Sequence, residues 1–463
     1  MFQTDAQTMR QPAAVTSLLR WAELLLFFIC SLILTGAPVD FLVKTAGIAP
    51  TQGLGMFWIP LLVMAGVGLV FHPFKILSAA WVALPVVLLA GVIAASAWWS
   101  VDRAQSVQQA LFFFASIASA FYVAKRFSLR EILNLMALLF AGLALVSIVL
   151  ALFMPRIGMM QDIHVGAWSG VWIDKNSLGQ FYVLGFSIAL GRLAENPHSW
   201  LTSLPLALLS IGLVLLSTSK TSLVGLILVL ALGLGVFFLR RGPVFAMIFG
   251  WIATMLAVGA MAILIFAPGL VFDLLQRDAT LTSRTKIWAA TERLIEQRPV
   301  KGYGFGAVWG QTSASAPVVM VHQNLGFKPV NAHSSWMDAR LEIGVPGAAA
   351  LALMMMFGLG MALWSIPWSR SAYWTVPGLA VLLQTSFVES VLIDSHGTGS
   401  FLFILFTVLA ASSGRNKRVA PRRQTTAPVQ AQNWQMPHHI AVPVPASLLS
   451  QRLYNISHPA RPY

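Results

Sequence analysis

The segment NAHSSWMDARLEIGVPG, residues 331–347, places His333, Asp338, Arg340 and Glu342 within ten positions of a chain in which only 10% of residues are Asp, Glu, Lys or Arg. Imidazole titrates nearest neutral pH, so His333 is suited to taking a proton from a sugar hydroxyl as a general base. The alternative is an interfacial histidine beside surface pairs among Asp338, Arg340 and Glu342. A helix starting near Asn331 would put His333, Met337 and Arg340 or Leu341 on one face. Candidate phosphate ligands lie upstream at Arg284 and Lys286, with Arg293, Arg298 and Lys301 beyond. Arginine grips phosphate through paired N–H donors. Arg293 and Arg298 read as a solvated face, whereas Arg284 stands near the start of a helix, where free N–H groups also favour anions.

Three shorter stretches add polar groups. In STSKTS, residues 217–222, Lys220 lies between two apolar runs with only Ser and Thr around it; it either snorkels to water or serves a site. The lettering Ser217-x-x-Lys220 matches a serine acyl-enzyme motif, but no companion motif occurs. GVWIDKNSLGQF, residues 170–181, carries Asp174, Lys175 and Asn176, with Asn176 and Gln180 four apart on one helical face. That pair suits sugar hydroxyls, and an N-cap followed by a polar first turn is the alternative. Trp168 and Trp172 before it are either interfacial belt residues or stacking platforms for a sugar ring. ESVLIDSHGTGS, residues 389–400, supplies Glu389, Asp394 and His396; a divalent-ion site lacks supporting spacing, and an interhelical turn is the better reading.

These residues must be held by membrane helices. The chain has 463 residues, is 57% hydrophobic and has a mean hydropathy of +0.75. Each crossing of a bilayer core needs about 20 apolar residues, and runs of that kind recur from Trp21 to Ala411. No ten-residue alternation suggests a membrane β-barrel. Twelve helices are expected, at about 21–36, 53–71, 78–99, 107–124, 132–153, 176–191, 200–217, 221–239, 244–267, 337–363, 372–391 and 399–412. Arg20 before and TGAP after the first run faintly resemble a signal peptide, but without a cleavage site the run reads as an uncleaved span. The net charge of +14 sits largely in short loops and a tail, where it sets topology and needs no nucleic acid. Arg10, Arg20, Lys75, Lys125, Arg126, Arg130, Arg192, Arg240, Arg241 and Arg370 all fall on the side that also holds both termini, the cytoplasmic side. The expected organisation is a cytoplasmic segment 1–20, a transmembrane domain 21–413 with a large outer loop at about 268–336, and a disordered basic, Pro-rich tail 414–463. Within the loop, LTSRTKIWAATERLIEQRP forms an amphipathic helix capped by Thr282 or Ser283, with Ile287, Trp288, Leu294 and Ile295 as its apolar face and Pro299 as its stop. GYGFG, residues 302–306, follows as a flexible turn. Cys30 is the only cysteine, so a disulfide within the chain and thiolate metal sites are excluded.

The chain resembles the O-antigen ligase and Wzy-type polymerase superfamily. Its signature is a His, then Asn, Ser or Gln, nine residues, Gly, two residues, and Gly, Thr or Tyr; here His333, Ser334, Gly344 and Gly347 fill those positions. SRTKIW…RPVKGYGFG looks like the family's arginine-bearing loop helix and glycine turn, and WSVDRAQSV, DKNSLGQ and STSKTS look like the ExoQ-like exopolysaccharide-polymerase branch. Lys220 stands where ligases typically carry arginine, which favours the polymerase branch. The resemblance covers about residues 90–411. It implies an all-α, GT-C-like fold with short helices in a periplasmic loop, catalysis by His333, Arg284 and Lys220, and substrate contacts from Asn176, Lys175, Ser334 and Tyr303. It also implies undecaprenyl-pyrophosphate-linked glycan donors, a glycan acceptor, a polysaccharide chain-length regulator as partner, the inner membrane as location, and no required cofactor or metal. Three functions follow: polymerisation of lipid-linked repeat units, ligation of the glycan to lipid A-core or protein, or, in another class, flipping or transport of the lipid-linked oligosaccharide.

Overall fold

A computed structural model describes residues 13–47, 54–162, 164–266, 279–309, 319, 325, 329–394 and 397–413. The segment 1–12, His396 and the tail from 414 lie outside the described residues, as do parts of the expected outer loop. The described residues form helices and no strand, as an all-α polytopic membrane protein requires.

In chain order the helices are α1 (Ala13–Leu34), α2 (Ala37–Ala46), α3 (Ile59–Phe71), α4 (Pro73–Val82), α5 (Leu84–Ser96), α6 (Arg103–Arg126), α7 (Leu129–Phe153), the single turn α8 (Pro155–Gly158), α9 (Lys175–Glu195), α10 (Trp200–Leu216), α11 (Lys220–Leu239), α12 (Pro243–Phe266), α13 (Ala279–Gln297), α14 (Ser335–Ser365), α15 (Ala372–Ser386) and α16 (Thr398–Ser413). Proline sets the breaks, because it lacks an N–H and drives the preceding residue out of the helical region. The chain bends by 53° between α1 and α2, where Pro38 follows, and by 100° between α3 and α4, where Pro73 follows. The expected run 78–99 is likewise split at Ala83, just before Leu84-Pro85. Among the described residues, five helices are therefore long and apolar enough to cross a membrane, or seven if each bent pair is one span, fewer than the twelve uniform spans expected.

Helix α7 shows how the sequence sorts its faces. Ser128 and Glu131 form a reciprocal capping box at its start. Leu133, Ala137, Phe140, Ala144, Ser147 and Ala151 are buried, whereas Leu138, Leu145, Val149 and Leu152 form an exposed apolar stripe at helical spacing. Such a stripe suits lipid contact. Close approach of helices uses small residues: a Cβ at Gly179 of α9 would collide with the Ser217 and Ser222 hydroxyls around the start of α11.

The basic residues gather at one end of the bundle. Arg20 bonds Glu131 at 2.6 Å, Arg126 bonds Glu23 at 2.7 Å, Lys125 bonds Ser412, Arg240 donates to the Ile366 and Ser369 carbonyls, and Arg370 donates to the Glu195 carbonyl. The 31-residue α14 runs from the turn that carries His333 to this basic cluster.

Candidate active site

α14 begins at Ser335, not near Asn331, so His333 lies outside the helix and shares no helical face with Met337 or Arg340. His333 instead adopts a left-handed backbone, φ 49°, a conformation uncommon for a non-glycine residue. Neighbours fix the strained turn: the His333 N–H donates to Asn331 Oδ1 at 3.0 Å, the Ala332 N–H to Asp338 Oδ1 at 3.1 Å, and the Trp288 indole N–H of α13 to the Ala332 carbonyl at 2.9 Å. Asp338 is buried and also accepts from Trp309 Nε1 at 2.8 Å and from the Ser390 hydroxyl. It is therefore an organiser of the turn. It does not pair with Arg340, which makes a two-point bond to Glu292 at 2.7 and 3.0 Å.

The turn delivers the imidazole to Glu389, in the loop after α15. His333 Nδ1 lies 2.8 Å from Glu389 Oε2, and Arg284 of α13 bonds the other carboxylate oxygen, Oε1. A carboxylate already taking an arginine N–H acts as an acceptor, so Nδ1 donates to it and Nε2 is the ring nitrogen that Glu389 does not use. The Glu389 carbonyl accepts from Ser335 N–H at 3.3 Å and from its hydroxyl at 3.1 Å, and the same hydroxyl accepts from Val391 and Leu392 N–H groups. The loop thus closes on the start of α14.

Arg284, His333 and Glu389 face a cavity of about 710 Å³. Lys175, Asn176 and Gln180 of α9 line its other side, with Asp174 and Asn331. Asp174 caps α9 by accepting from the Asn176 and Ser177 N–H groups, which leaves the Asn176 side chain to accept from Ser219 at 2.9 Å. Gln180 Nε2 is buried without a hydrogen-bond partner among the described residues.

Other expected residues take different places. Lys220 opens α11 one residue beyond Ser219 and is not among the residues lining the cavity. Ser217 is buried and gives its hydroxyl to the Val214 carbonyl, so it offers no nucleophile. Ser334 is buried at the N-cap position of α14, away from the cavity wall. Tyr303 belongs to a small apolar core between α13 and α14, its hydroxyl donating to the Leu294 carbonyl at 3.1 Å, and burial holds its phenol above the ordinary pKa. Trp172 is buried against Phe181, with ring centroids 4.7 Å apart, and its indole N–H donates to the Thr35 carbonyl; neither a belt position nor a sugar platform describes it. Helix α13 starts at Ala279, earlier than the expected cap at Thr282 or Ser283, so Arg284 sits inside the helix and its anchor is Glu389 in place of helix-end N–H groups. Arg293 and Arg298 are exposed, as a solvated face requires.

Glu389 is the residue whose role the sequence reading missed, since it was assigned to a plain turn. Its isolation as an acid beside an apolar run was the available signal. Engaged with Arg284 and His333, it is not free for the divalent-ion role, and among the described residues no group of three or more His, Cys, Asp or Glu could hold a metal ion.

The glycines of the signature have a mechanical reason. Gly344 interrupts α14 with φ 64° and ψ −165°, and a Cβ there would strike the Val300 backbone. The carbonyls released at this kink are taken by the glycine turn: Tyr303 N–H donates to the Leu341 carbonyl at 2.9 Å and Gly304 N–H to that of Glu342 at 2.8 Å. Trp99 Nε1 and Val101 N–H in turn hold the Lys301 and Tyr303 carbonyls.

The described helices thus bring a histidine, a carboxylate and cations together at one cavity. Residues 205–352 match a family model described as O-antigen ligase. The chain is also 25% identical over 342 residues, 70% of this chain and 75% of the relative, to the exopolysaccharide production protein ExoQ of Rhizobium meliloti (strain 1021). Over these stretches the chain is similar to O-antigen ligase-like and ExoQ-like proteins. The matched segment 205–352 contains Lys220, Arg284, His333, Gly344 and Gly347.

Proposed function

We propose that this protein is an inner-membrane glycosyltransferase that polymerises undecaprenyl-pyrophosphate-linked repeat units into exopolysaccharide or O-antigen on the periplasmic side. The observation that carries the reading is Arg284 and His333 held by one carboxylate at the mouth of a cavity. The acceptor hydroxyl attacks the anomeric carbon of the donor, the bond from that carbon to the phosphate oxygen breaks, and lipid pyrophosphate leaves. The hydroxyl proton passes to His333 Nε2, while Glu389 steadies the imidazolium that forms. Negative charge growing on the departing phosphate is stabilised by Arg284 and Lys175, with Lys220 adding positive potential from the start of α11. Asn176 and Gln180 orient sugar hydroxyls. The basic end of the bundle is then cytoplasmic, with both termini on that side, the segment 268–336 is the periplasmic loop, and a chain-length regulator is the partner that would set polymer size.

The description of the matching family model favours a second reading, ligation of finished glycan to lipid A-core or protein. The deciding experiment complements a null strain with wild type or His333→Ala at matched membrane levels and sizes both extracellular polysaccharide and lipid-linked glycan. Single lipid-linked repeats without polymer support polymerisation; long chains retained on the lipid support ligation. Unchanged product in every fraction removes His333 from catalysis and leaves a transporter as the reading to pursue.

A further inference from the structure

Apart from the Arg284 cavity, a groove of about 370 Å³ opens where α13 ends, lined by Trp99, Arg298, Pro299, Val300, Lys301 and Gly302. None of these residues lines the Arg284 cavity. The walls of the groove are fixed by hydrogen bonds. The Trp99 indole N–H donates to the Lys301 carbonyl at 2.7 Å, the Gly302 N–H to the Arg298 carbonyl at 3.0 Å, and the Val345 N–H of α14 to the Pro299 carbonyl at 3.1 Å. Its cations are oriented by aromatic rings: the Lys301 ammonium lies 6.0 Å from the Trp99 ring centroid, and the Arg298 guanidinium 4.9 Å from that of Tyr303. Both cationic side chains remain exposed, so an anion can reach them.

The depth of the groove follows from two helices that pack together, α5 and α14. α14 exposes an apolar stripe through Val345, Leu353, Met356 and Trp364; at 1.5 Å per residue it is about 30 Å long, the thickness of one bilayer core. α5 exposes Leu84, Val87 and Leu88, and Trp98 stands exposed just beyond its end. The two stripes reach the groove at Val345 and at Trp98, which puts Arg298 and Lys301 where hydrocarbon gives way to headgroups and where tryptophan is favoured. We infer that the groove binds the headgroup of an anionic glycerophospholipid, its phosphodiester between Arg298 and Lys301 and its acyl chains along the stripes of α5 and α14. Charge complementarity selects a headgroup of net negative charge over a zwitterionic one, whose own amine would meet the same two cations. The apolar stripes select a lipid over a free phosphate. Because the turn from Pro299 to Gly302 is bonded to Val345 at the kink of α14, an occupied groove braces that kink against the membrane surface.

The test uses the full chain purified in detergent and native mass spectrometry, which counts bound lipid and needs no turnover. The probes are phosphatidylglycerol, phosphatidylcholine with the same acyl chains, undecaprenyl phosphate and glycerol phosphate. Phosphatidylglycerol is expected to bind about tenfold more tightly than phosphatidylcholine, and glycerol phosphate is expected not to displace it. Arg298→Gln and Lys301→Gln should each weaken phosphatidylglycerol about fivefold, the worth of one basic residue at an anionic surface. Arg293→Gln, exposed on α13 and not part of the groove, should leave binding unchanged. All three substitutions are at exposed side chains, and elution at the wild-type position in size exclusion ensures that folded protein is compared. The site is overturned if phosphatidylcholine binds equally well, or if Arg293→Gln costs as much as the two groove substitutions together. It is also overturned if glycerol phosphate displaces the lipid, which would leave only an anion patch, or if undecaprenyl phosphate is preferred, which would make the groove a carrier-lipid contact. Since lipid counting is separate from polymer synthesis, either result leaves the glycosyltransferase reading to its own test.

Discussion

Glu389 holds Arg284 through one carboxylate oxygen and His333 through the other, so neutralising it should loosen both groups while preserving shape. Charge-assisted hydrogen bonds are worth about 1.5–3 kcal/mol, which corresponds to roughly 10- to 100-fold in rate. Glu389→Gln is therefore expected to cut polymer synthesis by about that factor at unchanged membrane levels, and initial rates in isolated membranes would measure it; a normal rate would mean that the carboxylate is only a structural tie. Tyr303 gives the opposite contrast. Its hydroxyl is spent on the Leu294 carbonyl inside the small core, so Tyr303→Phe should lower stability by about 1 kcal/mol and leave turnover intact. A thermal-shift profile beside the same rate assay separates this from the substrate contact that the family resemblance implied, which predicts lost turnover at full stability.

The kink in α14 is the element on which the site depends. Gly344 has φ 64° and ψ −165° and no room for a Cβ against Val300, and that region, which essentially only glycine occupies, costs another residue about 1–3 kcal/mol before any collision. Gly344→Ala should therefore displace the glycine turn and, through Tyr303, Gly304 and Gly306, the packing of α13 on α14 that presents Arg284. The expected outcome is a lowered midpoint in fluorescence-detected size exclusion after heating, together with a loss of activity larger than the loss of folded protein. Equal losses would show that the kink serves folding only.

At the scale of the whole molecule, the charged network of Arg20, Glu23, Arg126 and Glu131, with Arg240 on the Ile366 and Ser369 carbonyls, marks one end and the cavity marks the other. With Cys30 buried and the only cysteine, topology is open to a direct measurement. On a Cys30→Ala background, Lys286→Cys on α13 should react with a membrane-impermeant maleimide in intact spheroplasts, and Arg241→Cys should react only after permeabilisation. Both positions are exposed. The reverse pattern would turn the chemistry to the cytoplasmic side and exclude a periplasmic polymerase.

Membrane character, the helical class and most helix centres were legible in the sequence, because burying a backbone in lipid demands long apolar runs and leaves positive charge on one side. His333, Arg284, Lys175 and Asn176 stood out for the same reason: polar groups beside lipid are expensive. The breaks after α1, α3 and α4 were less visible, since a proline tells where a helix stops without telling how far the chain then bends. Only the tertiary structure decided which polar residues meet. Glu389 lies 56 positions from His333 and 105 from Arg284, and no local periodicity couples residues so far apart. Likewise, the sequence placed Tyr303 and Ser334 near the right motif, but a motif fixes neighbours along the chain, whereas the packing of α13, α14 and the turn between them determines which side chains face the cavity and which fill the core.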